Sequence, residues 1–287
     1  MAERLTIPRY SLPQEWNRKF FAIKELRPAI AKAVCFFLCQ GWHPSSVEQK
    51  RIERVVIKML GQKKVSLEEI AACYESVRPK IGIVGRENIP KEGTVIFVAN
   101  HPKGKEGPLN NMWSYFETAL VVFEERSKIA AVKRKPMVIM QGGLLWNFKL
   151  FRKSFEMVVP GSDYFYDLVG NSLNWPRVEI PRLDANKEIL NNQKLPFSAV
   201  RHLYREGAWI IYLQGTFRND NEFPEKATGF VSRLLETGRN IQMVPILINS
   251  TRALSLTFGE PTPIQEMPVF AQGVVDVRNW YRKSFKS

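Results

Sequence analysis

The chain has 287 residues, 45% of them hydrophobic and 11% aromatic, which is enough apolar material for a sizeable core and excludes a disordered polymer. A formal charge of +14 at pH 7 raises the local concentration of anionic partners: nucleic acid, anionic lipid surfaces, phosphorylated or CoA-like ligands. No basic-region helix, zinc-finger spacing or aromatic ribonucleoprotein motif accompanies that charge, so nucleic acid is not expected as a partner.

In chain order, Met1 to Tyr10 carries Glu3, Arg4 and Arg9 and lacks the basic head and long apolar core of a signal peptide, so a cytoplasmic location is expected. Residues 1–80 read as an N-terminal helical region. Trp16, Phe20, Ile23, Ile30, Val34 and Phe37 recur at helical spacing among Lys19, Lys24 and Lys32, with Pro28 expected to kink or divide the segment. Aromatics interleaved with basic residues fit an interfacial helix and a core-covering helix equally. A second helix from about Val47 to Leu60 sets Ile52, Val55, Val56 and Met59 on one face, and Ser66-Leu67-Glu68-Glu69 is a capping box opening a third. The longest stretch without Asp, Glu, Lys or Arg, Ala33 to Val47, falls short of the roughly 20 apolar residues a spanning helix needs. The expected arrangement is therefore peripheral, on a membrane rather than through it.

The three cysteines are an odd number, and Cys35 and Cys39 lie one helical turn apart in an apolar stretch; with Cys73 they read as reduced core residues. Neither Cys-x-x-Cys nor His-x-x-x-His spacing is present, so no metal or redox cofactor is expected.

From residue 81 the pattern changes to short β-branched or aromatic runs separated by helical or loop segments. Candidate strands are Ile81 to Val84, Thr94 to Ala99, Ile129 to Val132, Val178 to Ile180, Trp209 to Leu213, Met243 to Ile248 and Leu254 to Phe258. Such alternation predicts an α/β fold for residues 81–287, a largely parallel central sheet flanked by helices, with the active site beyond the carboxyl ends of strands. Residues 160 to 176 mix turn formers and aromatics without a clean period, which suggests an active-site flap. At the C-terminal end, Val274, Val277, Tyr281 and Phe285 share a helical face beside Arg278, Arg282, Lys283 and Lys286. That pattern fits either an anionic-lipid surface helix or a basic tail with packed aromatics.

The chemistry concentrates in Val98-Ala99-Asn100-His101-Pro102-Lys103-Gly104-Lys105-Glu106-Gly107. Here a histidine follows an apolar run, with a carboxylate four intervening residues on. An imidazole titrating near neutrality can take a proton from an alcohol, and a nearby carboxylate can fix its tautomer and stabilise the imidazolium. Gly104 and Gly107 would let the loop turn back and expose backbone N–H groups. No Gly-x-Ser-x-Gly elbow is present, so no activated serine nucleophile accompanies this histidine and carboxylate pair.

Four blocks in order, covering residues 85 to 261, resemble the glycerolipid acyltransferase superfamily, whose best-known members acylate lysophosphatidic acid. The first is Gly85-Arg86-Glu87-Asn88-Ile89-Pro90 with the strand running into His101. The second is Val178-Glu179-Ile180-Pro181-Arg182, and the third runs from Arg205-Glu206-Gly207 to Leu213-Gln214-Gly215-Thr216-Phe217-Arg218, similar to the family's Phe-Pro-Glu-Gly-Thr-Arg signature. The fourth is Val244-Pro245-Ile246, followed by Phe258-Gly259-Glu260-Pro261. The chain departs from the pattern at four places. Glu106 stands where most members have Asp, as in the related lipid A late acyltransferases; Gln214 replaces the signature Glu, Leu213 the Pro, and Phe217 is inserted before the arginine.

The resemblance implies a membrane-associated enzyme of phospholipid biosynthesis. It would move a fatty acyl chain from acyl-CoA or acyl carrier protein to a hydroxyl of a lysophospholipid-like or other polar lipid acceptor at an anionic membrane surface. His101 would be the general base and Glu106 its orienter; Arg182 and Arg218 would hold an anionic head group, with Gln214, Gly215 and Thr216 forming the turn behind the substrate. Glu106 and Gln214 also fit a glycolipid acceptor. The altered third block leaves a catalytically impaired lipid-binding relative as the rival reading, against which stands the retention of both His101 and Glu106.

Overall fold

The computed structural model describes residues 23–39, 42–100, 111–129, 135–141, 145–150, 153–158, 162–178, 197–212, 234, 237, 239–249, 254–269 and 276–285. The described strands are β1 (Gly82–Val84), β2 (Thr94–Ala99), β3 (Met137–Gln141), β4 (Leu145–Leu150), β5 (Lys153–Val158), β6 (Arg177–Val178), β7 (Ala208–Tyr212), β8 (Ile241–Asn249), β9 (Ser255–Phe258) and β10 (Thr262–Pro263). Among them run the helices α1 (Arg27–Leu38), α2 (Ser46–Leu60), α3 (Leu67–Ala71), α4 (Asn111–Ser127), α5 (Ser162–Leu173), α6 (Phe197–Leu203) and α7 (Val277–Lys283).

Every residue of β2 from Val95 to Ala99 is buried, because its two faces meet different cores. Val95, Phe97 and Ala99 pack with residues of α1 to α5, whereas Ile96 and Val98 pack with Ala199 and Leu203 of α6 and Val277, Trp280 and Tyr281 of α7. Strand β7 repeats the division, Ala208 and Ile210 facing the first core, Trp209 and Ile211 the second. Strands covered on both faces read as continuous apolar runs, which is why these two are so visible in the sequence. Each Val, Leu, Ile or Phe among them contributes about 1.5–3 kcal/mol on burial.

The main sheet has the order β1-β9-β8-β2-β7-β3-β6, with β10 paired to β8. Strands β8, β2, β7, β3 and β6 run parallel; β9 and β10 run antiparallel to β8, and β1 parallel to β9. The expected largely parallel sheet flanked by helices is the architecture of this chain. A separate antiparallel pair, β4 with β5, runs in register from Leu145↔Val158 to Leu150↔Lys153. No period in the sequence had marked it.

The helix starts follow local rules. Ser45 and Glu48 form a reciprocal capping box at α2, and Ser66 and Glu69 form the expected one at α3. Pro28 divides its segment rather than kinking it: a 3-10 turn at Lys24–Leu26 gives way to α1, and Pro28 lies in the first turn of that helix, where its missing N–H has no partner to lose. Arg126, buried at the end of α4, donates to the carbonyls of Pro90 (2.8 Å), Gly93 (2.8 Å) and Glu206 (3.0 Å), tying together the turns that lead into β2 and β7. Burial lowers its pKa to about 10, so it remains charged at neutral pH.

Three further expectations are corrected. Residues 128–129 form a turn closing α4, with the Ile129 N–H on the Arg126 carbonyl, so no strand begins at Ile129; residues 130–132, the rest of that candidate, lie outside the described residues, and the next described strand is β3. Most of the proposed flap at 160–176 is helix α5. Phe165, Leu168, Val169 and Ser172 follow an i, i+3, i+4, i+7 spacing, Leu168 and Val169 are buried in the first core, and Phe165 packs against it. At the C-terminal end the packed-aromatic reading holds: Val277, Trp280 and Tyr281 of α7 are buried against the sheet, so this face is not open to a lipid surface. Cys35 and Cys73 are buried, Cys39 is half-buried, and all three are free thiols, as expected.

Candidate active site

Parallel strands deliver their carboxyl ends to one edge of the sheet. Ala99, the last residue of β2, pairs with Tyr212, the last of β7; Ile211 of β7 pairs with Ile139 of β3, and Gln141, the last of β3, pairs with Val178, the last of β6. Adjacent strands lie about 4.8 Å apart, so the segments beginning at residues 100 and 213 leave from neighbouring positions, and the one after Val178 leaves about 14 Å away. Four residues and an arginine side chain can cross that span. His101 and Glu106 follow β2, Arg182 follows β6, and Gln214, Gly215, Thr216 and Arg218 follow β7; all seven lie outside the described residues. The topology brings the strands that lead to them to one edge.

Both flanks of the segment carrying His101 are firmly tied. At the departing end, Asn100 is only 4% exposed. Its Nδ2 donates to the Ile248 carbonyl at 3.0 Å and its Oδ1 accepts from the Ile248 N–H at 2.7 Å. The reason is local: β8 pairs with β2 up to Ala99↔Ile246 and then continues alongside β9 alone, from Ile246↔Phe258 to Asn249↔Ser255. The Asn100 amide bridges the two strands where they part. The Tyr281 hydroxyl donates to the Ile246 carbonyl at 2.7 Å and lies 3.3 Å from Asn100 Oδ1. Burial pushes the Tyr281 phenol above its usual range, so it stays protonated as a donor.

At the returning end, Trp113 of α4 is buried and its Nε1 donates to the Leu38 carbonyl at 2.9 Å. Two residues on, the Tyr115 ring meets the Tyr212 ring edge-on, with centroids 4.5 Å apart, joining the start of α4 to the end of β7. Burial raises both phenols, which therefore remain neutral. Sequence reasoning missed Asn100, Tyr115 and Tyr281 as parts of this frame. The available signal was Asn100 itself, a polar residue closing an apolar run.

Beside Trp113 lies a small apolar cavity of about 20 Å³, space for about one water molecule, lined by core side chains, among them Leu38, Ile52, Met59, Ile70 and Phe165. Among the described residues no cluster of His, Cys, Asp or Glu is grouped to hold a metal ion, and no helix is long and apolar enough to cross a membrane.

No protein-family model matches this chain, and no curated protein matches it. Among solved structures it is similar to the crystal structure of the 1-acyl-sn-glycerophosphate (LPA) acyltransferase PlsC from Thermotoga maritima, at 13% identity, with 94% of each chain covered and a TM-score of 0.38. A score that low carries no argument by itself; the α/β architecture rests on the pairing of the strands.

Proposed function

We propose that this chain is an acyltransferase that moves a fatty acyl chain from an acyl thioester to a hydroxyl of a lysophospholipid-like or other polar lipid acceptor. In this reading His101 takes the proton of the acceptor hydroxyl as its oxygen attacks the thioester carbon, and Glu106 holds the imidazole in the required tautomer. The C–S bond breaks as the new C–O bond forms, and the proton held by His101 goes to the thiolate leaving group. Arg182 and Arg218 meet the anionic head group, for which the guanidinium fork is suited. Gln214, Gly215 and Thr216 line the turn behind the acceptor.

The observation that carries this reading is the neighbouring parallel pair β2 and β7, whose carboxyl ends lead into the first and third blocks. A peripheral position on an anionic membrane is supported by helix α1, which turns Ala29, Lys32, Ala33, Phe36 and Phe37 outward, Phe36 being 77% exposed. The donor is acyl-CoA or acyl carrier protein.

The test is transfer of labelled acyl groups from each donor to lysophospholipid and glycolipid acceptors. His101→Ala is expected to lose at least about a hundredfold in rate with its circular dichroism spectrum unchanged. Near-normal turnover in that variant would remove His101 from the mechanism, and turnover absent from the unmodified protein with every donor would leave a lipid-binding protein instead.

A further inference from the structure

Asn100 is buried beneath α7, ties β2 to the backbone of Ile248, and is covalently bonded to His101; the Tyr281 hydroxyl binds the same strand at Ile246 and reaches the Asn100 oxygen. We propose that Asn100 and Tyr281 are positioning residues for His101, fixing the point at which its backbone leaves the sheet. The proposal rests on the reading of His101 as the general base.

The physical case is one of leverage. Beyond Ala99, β2 has no further backbone pairing with β8, because β8 continues along β9. Without a substitute, the next residue would leave the sheet from a free strand end. The Asn100 amide supplies the two hydrogen bonds a continued strand would have made, both to one residue, which fixes position and orientation together. Tyr281 makes that fixture dependent on α7, a helix nearly two hundred residues away in sequence, and its second anchor on the Ile246 carbonyl holds β8 where the strands diverge. Rate in general-base catalysis depends on where the base sits, and a displacement of about 1 Å can lower it on the order of a hundredfold. A bridge with this role changes turnover more than substrate affinity.

Two variants and two readouts test this. Tyr281→Phe keeps the ring in the core and removes only the hydroxyl; Asn100→Ala removes the amide. The chain has three histidines, His43, His101 and His202, so imidazole signals in nitrogen-15 spectra can be assigned by single substitution. Both variants are expected to shift the His101 signals and leave those of His43 in place. In acyl transfer, kcat is expected to fall about tenfold or more for Asn100→Ala and about threefold or more for Tyr281→Phe, with KM within about twofold. Should Asn100→Ala fail to fold, Tyr281→Phe carries the test by itself. Unchanged His101 signals in the folded variants overturn the proposal whatever the rates, and so do shifted signals with unchanged kcat in an active enzyme. An unmodified protein without acyl transfer, whose His101 signals nevertheless move in the variants, sinks the acyltransferase reading and leaves the positioning role standing.

Discussion

Gly85 adopts φ +74°, and a Cβ placed on it would stand 2.1 Å from the Phe258 carbonyl oxygen, the same atom to which Asn88 Nδ2 donates at 2.9 Å. Gly93 has the same φ with no heavy atom within 4 Å of such a Cβ. The pair separates backbone strain from steric clash. Gly93→Ala is expected to lose about 1–2 kcal/mol for the left-handed backbone alone, and Gly85→Ala at least about 1–2 kcal/mol more, because a backbone oxygen in the sheet must move. Urea unfolding of the two variants checks this, and equal losses would mean that the turn after β1 yields without disturbing β9. Both glycines are plain in the sequence, but nothing local distinguishes the crowded one from the open one. Asn100 is similar: its place at the end of an apolar run was legible, whereas its partner Ile248 lies 148 positions away and was not.

At the scale of elements, the capping box of α2 doubles as a link to the turn after α3. Glu48 is 3% exposed; its carboxylate accepts from the Ser45 N–H at 2.9 Å and the Ser45 hydroxyl at 2.8 Å, and from the Ser76 N–H at 2.9 Å. Burial by itself pushes this carboxyl up, and the hydrogen bonds from Ser76 and Ser45 outweigh it, bringing the pKa down to about 2. A folded-state value below the ordinary one means that the stabilisation is present above about pH 4.5 and is lost as the pH falls toward 2. Relative to Glu48→Gln, the unmodified protein is expected to be more stable by about 2–3 kcal/mol at pH 7, with the difference shrinking as the pH drops from 4.5 to 2. Thermal or urea unfolding across that range measures it; a difference independent of pH would mean that the carboxylate charge is not what Ser45 and Ser76 hold. A capping box needs only four adjacent residues, and the one at α3 was legible in the sequence, while that at α2 was not marked. The link to Ser76 is not legible, and neither was α5, whose aromatic and turn-forming residues hid a helical spacing until the first core supplied a surface for it.

For the whole molecule, the proposed membrane association would draw on the net charge of +14 and on the outward apolar face of α1, making it an electrostatic and hydrophobic event together. Binding to vesicles is expected to require anionic lipid and to weaken as salt rises from about 0.05 to 0.5 M, since screening shortens the range of the attraction. Cosedimentation with equal amounts on neutral and anionic vesicles would remove the electrostatic part. The aromatics of α7 add nothing to this surface, because they are consumed by the core.

Composition and periodicity by themselves determined the α/β class, the boundaries of β2, the existence of β7, the capping box of α3 and the buried Cys35 and Cys73, because each follows from neighbours in the chain or from strands apolar on both faces. The order and blocks of residues 85 to 261 likewise carried the proposed chemistry. Which face α7 buries, how β8 parts from β2, and that the strands leading to the first, second and third blocks end at one edge were decided only by the tertiary structure. These depend on pairings between residues far apart in the chain, which no local period encodes.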